Sequence, residues 1–265
     1  MKTLFLFVFI SVNFILLAQN SKDQEGRKQG YWVKKFPNSN ATDYTGQFKD
    51  DKPIGTFIYY FTTGKKKAQV TYINPNTTYT IMFHENEEIL AQGKFINQLK
   101  DSTWNIYSPS GKISIIENYT NGILNGERLV FYPLGNSITK KNQVSQKQYY
   151  LNGKLNGKQV EYFDNGKTWR ESNYQNGIKE GEELTYNPYG YLEIRDFYVH
   201  GDKNGWCYAY DSIGNNVTSK VYFKYGTRLD SISTLKYLQN LQMDESRKYL
   251  IKQKSTQTKG KSQKK

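Results

Sequence analysis

The chain has 265 residues, enough for one or two ordinary domains. Only 37% is hydrophobic while 15% is aromatic, with 23 Tyr. That balance argues against a compact Leu/Ile/Val core and for thin, half-exposed sheets, in which an aromatic buries its ring and keeps a polar tip in water. Of the net charge of +13, eight positive charges fall in residues 247–265, which hold no acid, and one falls on Lys2, leaving +4 for the body. The basic signal therefore belongs to the tail.

Residues 1–18 read as a cleaved secretory signal peptide, with Lys2 as the positive start, an apolar run over residues 4–17 and Ala18 at the cleavage point. A spanning anchor would need about 20 apolar residues. No Cys lies near the cleavage point, so a lipid anchor is not expected. The expected location is the periplasm, cell envelope or extracellular space. Cys207 is the only cysteine, so no internal disulfide forms and stability rests on packing.

From residue 26 onwards one pattern recurs. Eight units open at Gly30, Gly55, Thr78, Ser102, Gly126, Gly157, Gly181 and Gly205, with spacings of 25, 23, 24, 24, 31, 24 and 24. A fixed period of this size signals a repeat array. The long spacing carries a loop insertion at about residues 137–145. Thr78 and Ser102 replace the opening Gly, so the third and fourth units are degenerate there. The fifth position after the opening residue is aromatic in seven of eight units: Tyr60, Phe83, Tyr107, Phe131, Tyr162, Tyr186 and Tyr210. The ninth is Gly in six: Gly64, Gly111, Gly135, Gly166, Gly190 and Gly214, with Ser39 and Glu87 in the others.

Two turns follow from these residues. Pro at the second place and Gly at the fourth, as in Ser108-Pro109-Ser110-Gly111, fit a type I turn closed by a left-handed Gly. Asn121-Gly122, Asn152-Gly153, Asn176-Gly177 and His200-Gly201 fit the second, a two-residue hairpin turn needing positive φ at both positions. An aromatic precedes each: Tyr119, Tyr150, Tyr174 and Tyr198. Each unit is thus two short strands and two turns, and tight turns make neighbouring strands antiparallel. The expected fold is all-β, an elongated array of about eight antiparallel hairpins over residues 26–229, in which the aromatic of one unit lies on that of the next.

The stretches YLNGKLNGKQVEYFDNGK (residues 150–167) and YQNGIKEGEELTYNPYG (residues 174–190) resemble the MORN-repeat family, and more closely its bacterial variant, also called the YwqK-like antitoxin family. The resemblance covers roughly residues 26–229. It implies the same stack of hairpins, and an antitoxin-like inhibitor of a partner toxin as one function; the signal peptide argues against a cytoplasmic antitoxin.

After the array, residues 230–252 predict a capping helix begun by Asp230 or Ser231, with Ile232, Leu235, Leu238 and Leu241 as its apolar stripe. Residues 253–265 predict a disordered basic tail that either stays solvated or meets an anionic surface.

No catalytic constellation stands out. His200 occupies the Asn place of a hairpin turn, and His84, in FHENEE, lacks metal-ligand spacing with its neighbouring acids. The glycines around Lys154 are one residue short of a phosphate loop and are accounted for by turns. No catalytic residue, metal or cofactor is expected. The candidate binding-face aromatics are Trp104, Tyr107, Tyr162, Trp169, Tyr186, Trp206 and Tyr210; Gly111, Gly135, Gly153, Gly166, Gly177, Gly190, Gly201 and Gly214 are structural turn residues. The expected function is a non-enzymatic, exported scaffold that binds a protein or a cell-surface polymer, with a glycan-binding module as a further alternative. Nucleic acid is disfavoured by export.

Overall fold

The computed structural model describes residues 19–133 and 142–262, and the chain divides into two compact units, Met1–Ile123 and Leu124–Lys265. The expected signal segment, Gly135 and most of the predicted insertion lie outside the described residues.

Unit 1 is an antiparallel meander of β1 (Ser21–Lys22), β2 (Lys28–Lys35), β3 (Thr42–Lys49), β4 (Lys52–Tyr60), β5 (Lys66–Asn74), β6 (Thr77–Phe83), β7 (Ile89–Ile96), β8 (Leu99–Tyr107) and β9 (Ile113–Thr120), each strand pairing with the next. A two-residue strand, β10 (Ile123–Leu124), falls on the division. Unit 2 continues the scheme with β11 (Gly126–Phe131), β12 (Val144–Leu151), β13 (Lys154–Leu155), β14 (Gly157–Tyr162), β15 (Thr168–Gln175), β16 (Ile178–Lys179), β17 (Gly181–Tyr186), β18 (Leu192–Val199), β19 (Asp202–Lys203), β20 (Gly205–Tyr210), β21 (Val217–Lys224) and β22 (Thr227–Leu229). Its strands also pair antiparallel with their chain neighbours. Both units are open sheets of consecutive hairpins, an all-β repeat array. There are more strands than two per repeat because in unit 2 a strand is interrupted just before the opening Gly: Asn156 separates β13 from β14, which begins at Gly157 (φ 103°).

The two turns have distinct hydrogen-bond patterns. In the first, Gly166 N–H donates to Phe163 O (2.9 Å) and Phe163 N–H to Lys167 O (2.8 Å), the pattern of a type I turn with a Gly bulge at φ 85°. In the second, Asn152 and Gly153 stand at φ 50° and 77°, as a type I′ turn requires. Successive hairpin turns are stitched together: Gly177 N–H donates to Leu155 O (2.7 Å) and Gly201 N–H to Lys179 O (2.9 Å). Side chains add a second stitch, Asn156 Oδ1 accepting from Asn176 N (3.2 Å) and Glu180 Oε2 from His200 N (2.8 Å). Both acceptor residues sit beside an opening Gly, so the stitching itself maintains the 24-residue period.

Three details differ from the expectation. In the first repeat the left-handed turn residue is Asn38 (φ 56°) rather than Ser39, because that loop is one residue longer, running from Phe36 to Ala41. The ring contacts do not run along the fifth-position aromatics. They run from the second position after the opening residue to the aromatic before the hairpin turn: Phe57 meets Phe48 at 5.1 Å and Tyr72 at 5.4 Å, and Trp104 meets Phe95 at 4.8 Å, all edge to face. Finally, α1 runs Ser231–Ser262, past the expected limit at 252 into the segment expected to be disordered. Lys and Gln are good helix formers and no Pro interrupts the run. Asp230 caps the helix through Ser233 N (2.7 Å). Of the apolar stripe expected to dock, Leu238 is half-buried, whereas Ile232 and Leu235 are open to solvent, 80% and 63% exposed. Thr234 and Tyr237 dock beside Leu238, Tyr237 at 5.8 Å from Tyr222, because the three-residue β22 offers too little surface to cover more of the helix.

The core of unit 1 is a row along one sheet face. Phe57 pairs with Val70, Val70 with Thr80 and Thr80 with Gly93. Phe57 is 2% exposed and Trp104 0%. Each ring lies over a glycine of the preceding repeat: a Cβ on Gly46 would sit 2.4 Å from the Phe57 ring, and one on Gly93 2.4 Å from the Trp104 ring. Gly93→Ala should therefore destabilise unit 1 by about 1–3 kcal/mol through overpacking. A thermal melt unchanged by Gly93→Ala would show that the Trp104 ring is not seated there.

Candidate functional site

The third repeat of unit 1 breaks the ring-over-glycine rule. Where Gly46 faces Phe57 and Gly93 faces Trp104, the equivalent pair is Val70 and Thr80. Two β-branched residues replace a ring and a glycine, so the floor is filled, with Thr80 only 3% exposed, but no ring rises above it. Strand alternation brings the flanking side chains to the same face, since Tyr59 pairs with Ala68, Ala68 with Met82, Tyr72 with Thr78 and Thr78 with Phe95. The result is a trough of about 690 Å³. Tyr59, Tyr72 and Phe95 wall it, Ala68, Val70, Thr80 and Met82 floor it, and Asn76, Asn97 and Gln98 stand at its rim. That volume lies within the range of about 300–1,000 Å³ common to ligand pockets.

Among the described residues the lining carries no charged side chain. Burial, followed by the charge and hydrogen bond of the Tyr72 hydroxyl, pushes the Tyr59 phenol up to about 12, so it stays protonated at neutral pH. Asn97 and Gln98, at φ 50° and 65°, are the central residues of a hairpin turn held by the Asn97 N–H to Asn76 O bond (2.7 Å). The rim amides are thus carried on a fixed turn.

In unit 2 the same paired position is polar. Gln148 Nε2 donates to Gln159 Oε1 (3.0 Å), and Ser172 Oγ donates to Glu183 Oε2 (2.6 Å). Asp196 faces Cys207 as its hydrogen-bond partner and accepts from Lys203 Nζ at 2.5 Å. Glu183 also accepts from Lys179 Nζ and from the Tyr198 hydroxyl (3.3 Å). Burial raises the Glu183 carboxyl, but the hydrogen bonds from Lys179 and Ser172 outweigh it and hold the group below its ordinary range. Burial, with the Asp196 hydrogen bond, pushes the Cys207 thiol up to about 11, so it is a protonated strand residue rather than a nucleophile.

The aromatics singled out in the sequence are scattered. In unit 1, Trp104 is sealed in the core and cannot line a groove, and its Nε1 donates to Lys94 O (3.1 Å). Tyr107 lies on the other face, its hydroxyl accepting from Gln92 Nε2 (2.7 Å). In unit 2, the Tyr162 carbonyl takes the Tyr132 hydroxyl at 2.5 Å, Tyr186 is half-buried, and Tyr210 hydrogen-bonds Arg195. Trp169 occupies a bulge, 38% exposed, with the Arg170 guanidinium 4.4 Å above its ring. Trp206 lines a cleft of about 850 Å³ beside α1 with Tyr222, Lys220 and Leu238. Gly111, Gly153, Gly166, Gly177, Gly190, Gly201 and Gly214 all stand at positive φ in turns.

His84 Nε2 pairs with Tyr107 O at 3.1 Å, tying one turn to the next repeat, and His200 stands at φ 52° in a hairpin turn. Among the described residues no group of three or more His, Cys, Asp or Glu is placed to hold a metal. The trough residues escaped the sequence reading. The signal was Thr80 at a position held by Trp32, Phe57 and Trp104 in the other repeats of unit 1.

The fold and the paired rows define a protein built of β-hairpin repeats with its ligand-sized concavity on a sheet face. Within that class, residues 53–74 and 155–176, one segment in each unit, match the model of the MORN repeat variant family. No curated protein matches the chain.

Because the folded Glu183 titrates below its ordinary 4.5, its contribution is complete above that value and is lost as pH falls through the lower folded value. Glu183→Gln should cost about 1–3 kcal/mol at pH 7 and flatten the loss of stability below about pH 4.5. Urea midpoints at neutral and acid pH check this; parallel pH profiles for the two proteins would refute it.

Proposed function

We propose that this protein is a non-enzymatic binding module, exported through its N-terminal segment, whose ligand lies in the unit 1 trough. The observation that carries the reading is the exchange of ring and glycine for Val70 and Thr80. The other repeats of unit 1 place a ring at this position, and here it leaves a walled concavity with amides at its rim. The reactive-looking side chains support binding rather than chemistry: His84 and His200 are held in turns and Cys207 stays protonated. A protein or a cell-surface polymer is the natural ligand of an exported module.

Restoring the regular pair tests this. Val70→Gly with Thr80→Trp recreates the Gly93–Trp104 arrangement that the chain already folds around. The double variant should keep its circular dichroism and melt as wild type within a few degrees, yet lose capture of the wild-type ligand from a native cell-envelope fraction. Thr80→Val, which preserves the trough, should retain it. Undiminished capture by a well-folded double variant would overturn the reading.

A further inference from the structure

The chemistry of the trough selects among ligand classes, and this step rests on the trough being the binding site. From it we infer that the ligand is a neutral saccharide chain. Charge is the first discriminator. Among the described residues the lining holds no Lys, Arg, Asp or Glu, so a carboxylate, sulfate or phosphate entering it would lose water without gaining a counter-charge. A basic peptide meets the same obstacle.

The second discriminator is the pairing of rings with amides. Tyr59, Tyr72 and Phe95 offer apolar surface suited to the C–H face of a sugar ring. The side-chain amides of Asn76, Asn97 and Gln98 are exposed at the rim. Each carries donors and an acceptor together, as does each hydroxyl of a sugar, so one amide can both give to and take from neighbouring hydroxyls.

A proline-rich peptide fits less well. It presents mainly carbonyl acceptors and needs fixed donors along an aromatic groove. The Tyr59 and Tyr72 hydroxyls are the only side-chain phenol donors there, and the Tyr59 phenol is half-buried against Tyr72 rather than one of a row of donors spaced along a groove. Strand addition by an extended peptide needs an open sheet edge, whereas this trough lies on the face of β4–β7, whose strands are paired on both sides.

The test is calorimetric titration of the full chain with neutral oligosaccharides of the gluco, xylo, manno and N-acetylglucosamine series, beside uronic-acid and sulfated oligosaccharides and a proline-rich peptide. At least one neutral series should bind, with an affinity indifferent to added salt. Val70→Gly/Thr80→Trp should abolish that binding. Asn97→Gly, which keeps a residue suited to the positive φ and removes the amide, should weaken it by about tenfold. Absence of binding to every neutral series overturns the inference, as does salt-sensitive binding of the charged sugars alone or binding of the peptide alone. If one of those other ligands binds and the double variant abolishes it, the trough survives as the site and only the saccharide assignment falls. If the double variant leaves all binding intact, the trough reading falls with it.

Discussion

The protein depends on one contact repeated across hairpins: in six repeats the side chain two residues after the opening position (Phe57, Thr80, Trp104, Gln159, Glu183 and Cys207) lies against a residue of the strand before it. Where the first is Phe57 or Trp104, the second has to be glycine, because the ring occupies the volume a Cβ would need. This contact does two things at once. It buries the largest side chains of a chain poor in aliphatic residues, each contributing about 1.5–3 kcal/mol. It also links each repeat only to its neighbour, so stability accumulates along the array through adjacent contacts rather than through a shared core.

The same position tolerates very different chemistry provided the pair is matched. Gly with Phe or Trp, Val with Thr, Gln with Gln, Ser with Glu and Asp with Cys all occur. In unit 2 the polar pairs survive burial because each is hydrogen-bonded and the carboxylates meet Lys179 and Lys203. A buried polar row of this kind is a modest source of stability but a strict one, since a wrong partner leaves a desolvated group unpaired. Repeat register in unit 2 is therefore guarded by hydrogen-bonding partners, and in unit 1 by volume.

The trough is the product of that tolerance. A matched pair of smaller residues costs the array little at its floor and yields a concavity above it. The walls need no residues special to the site: Tyr72 and Phe95 are the aromatics that precede the hairpin turns throughout, and Asn97 occupies a turn place that other repeats give to Asn. Binding capacity arises from one exchange against a regular background.

Turns and strands were determined by the sequence alone, because their signals are local. Asn-Gly at two positive-φ places and Pro or Gly at fixed offsets act over four or five residues, and their spacing dictated an antiparallel array before any contact was known. Tertiary structure decided which aromatics meet. The fifth-position Tyr and Phe residues are the most regular feature of the sequence, yet the core forms at the second position, because strand alternation and the lean of each ring bring partners together from different repeats. It also withdrew Trp104 from any binding face, left Ile232 and Leu235 in solvent where a three-residue strand could not cover them, and placed Thr80 at the floor of a trough. The meaning of Thr80 lies in its absent ring, and that becomes visible only when Gly46, Phe57, Gly93 and Trp104 are seen on one face.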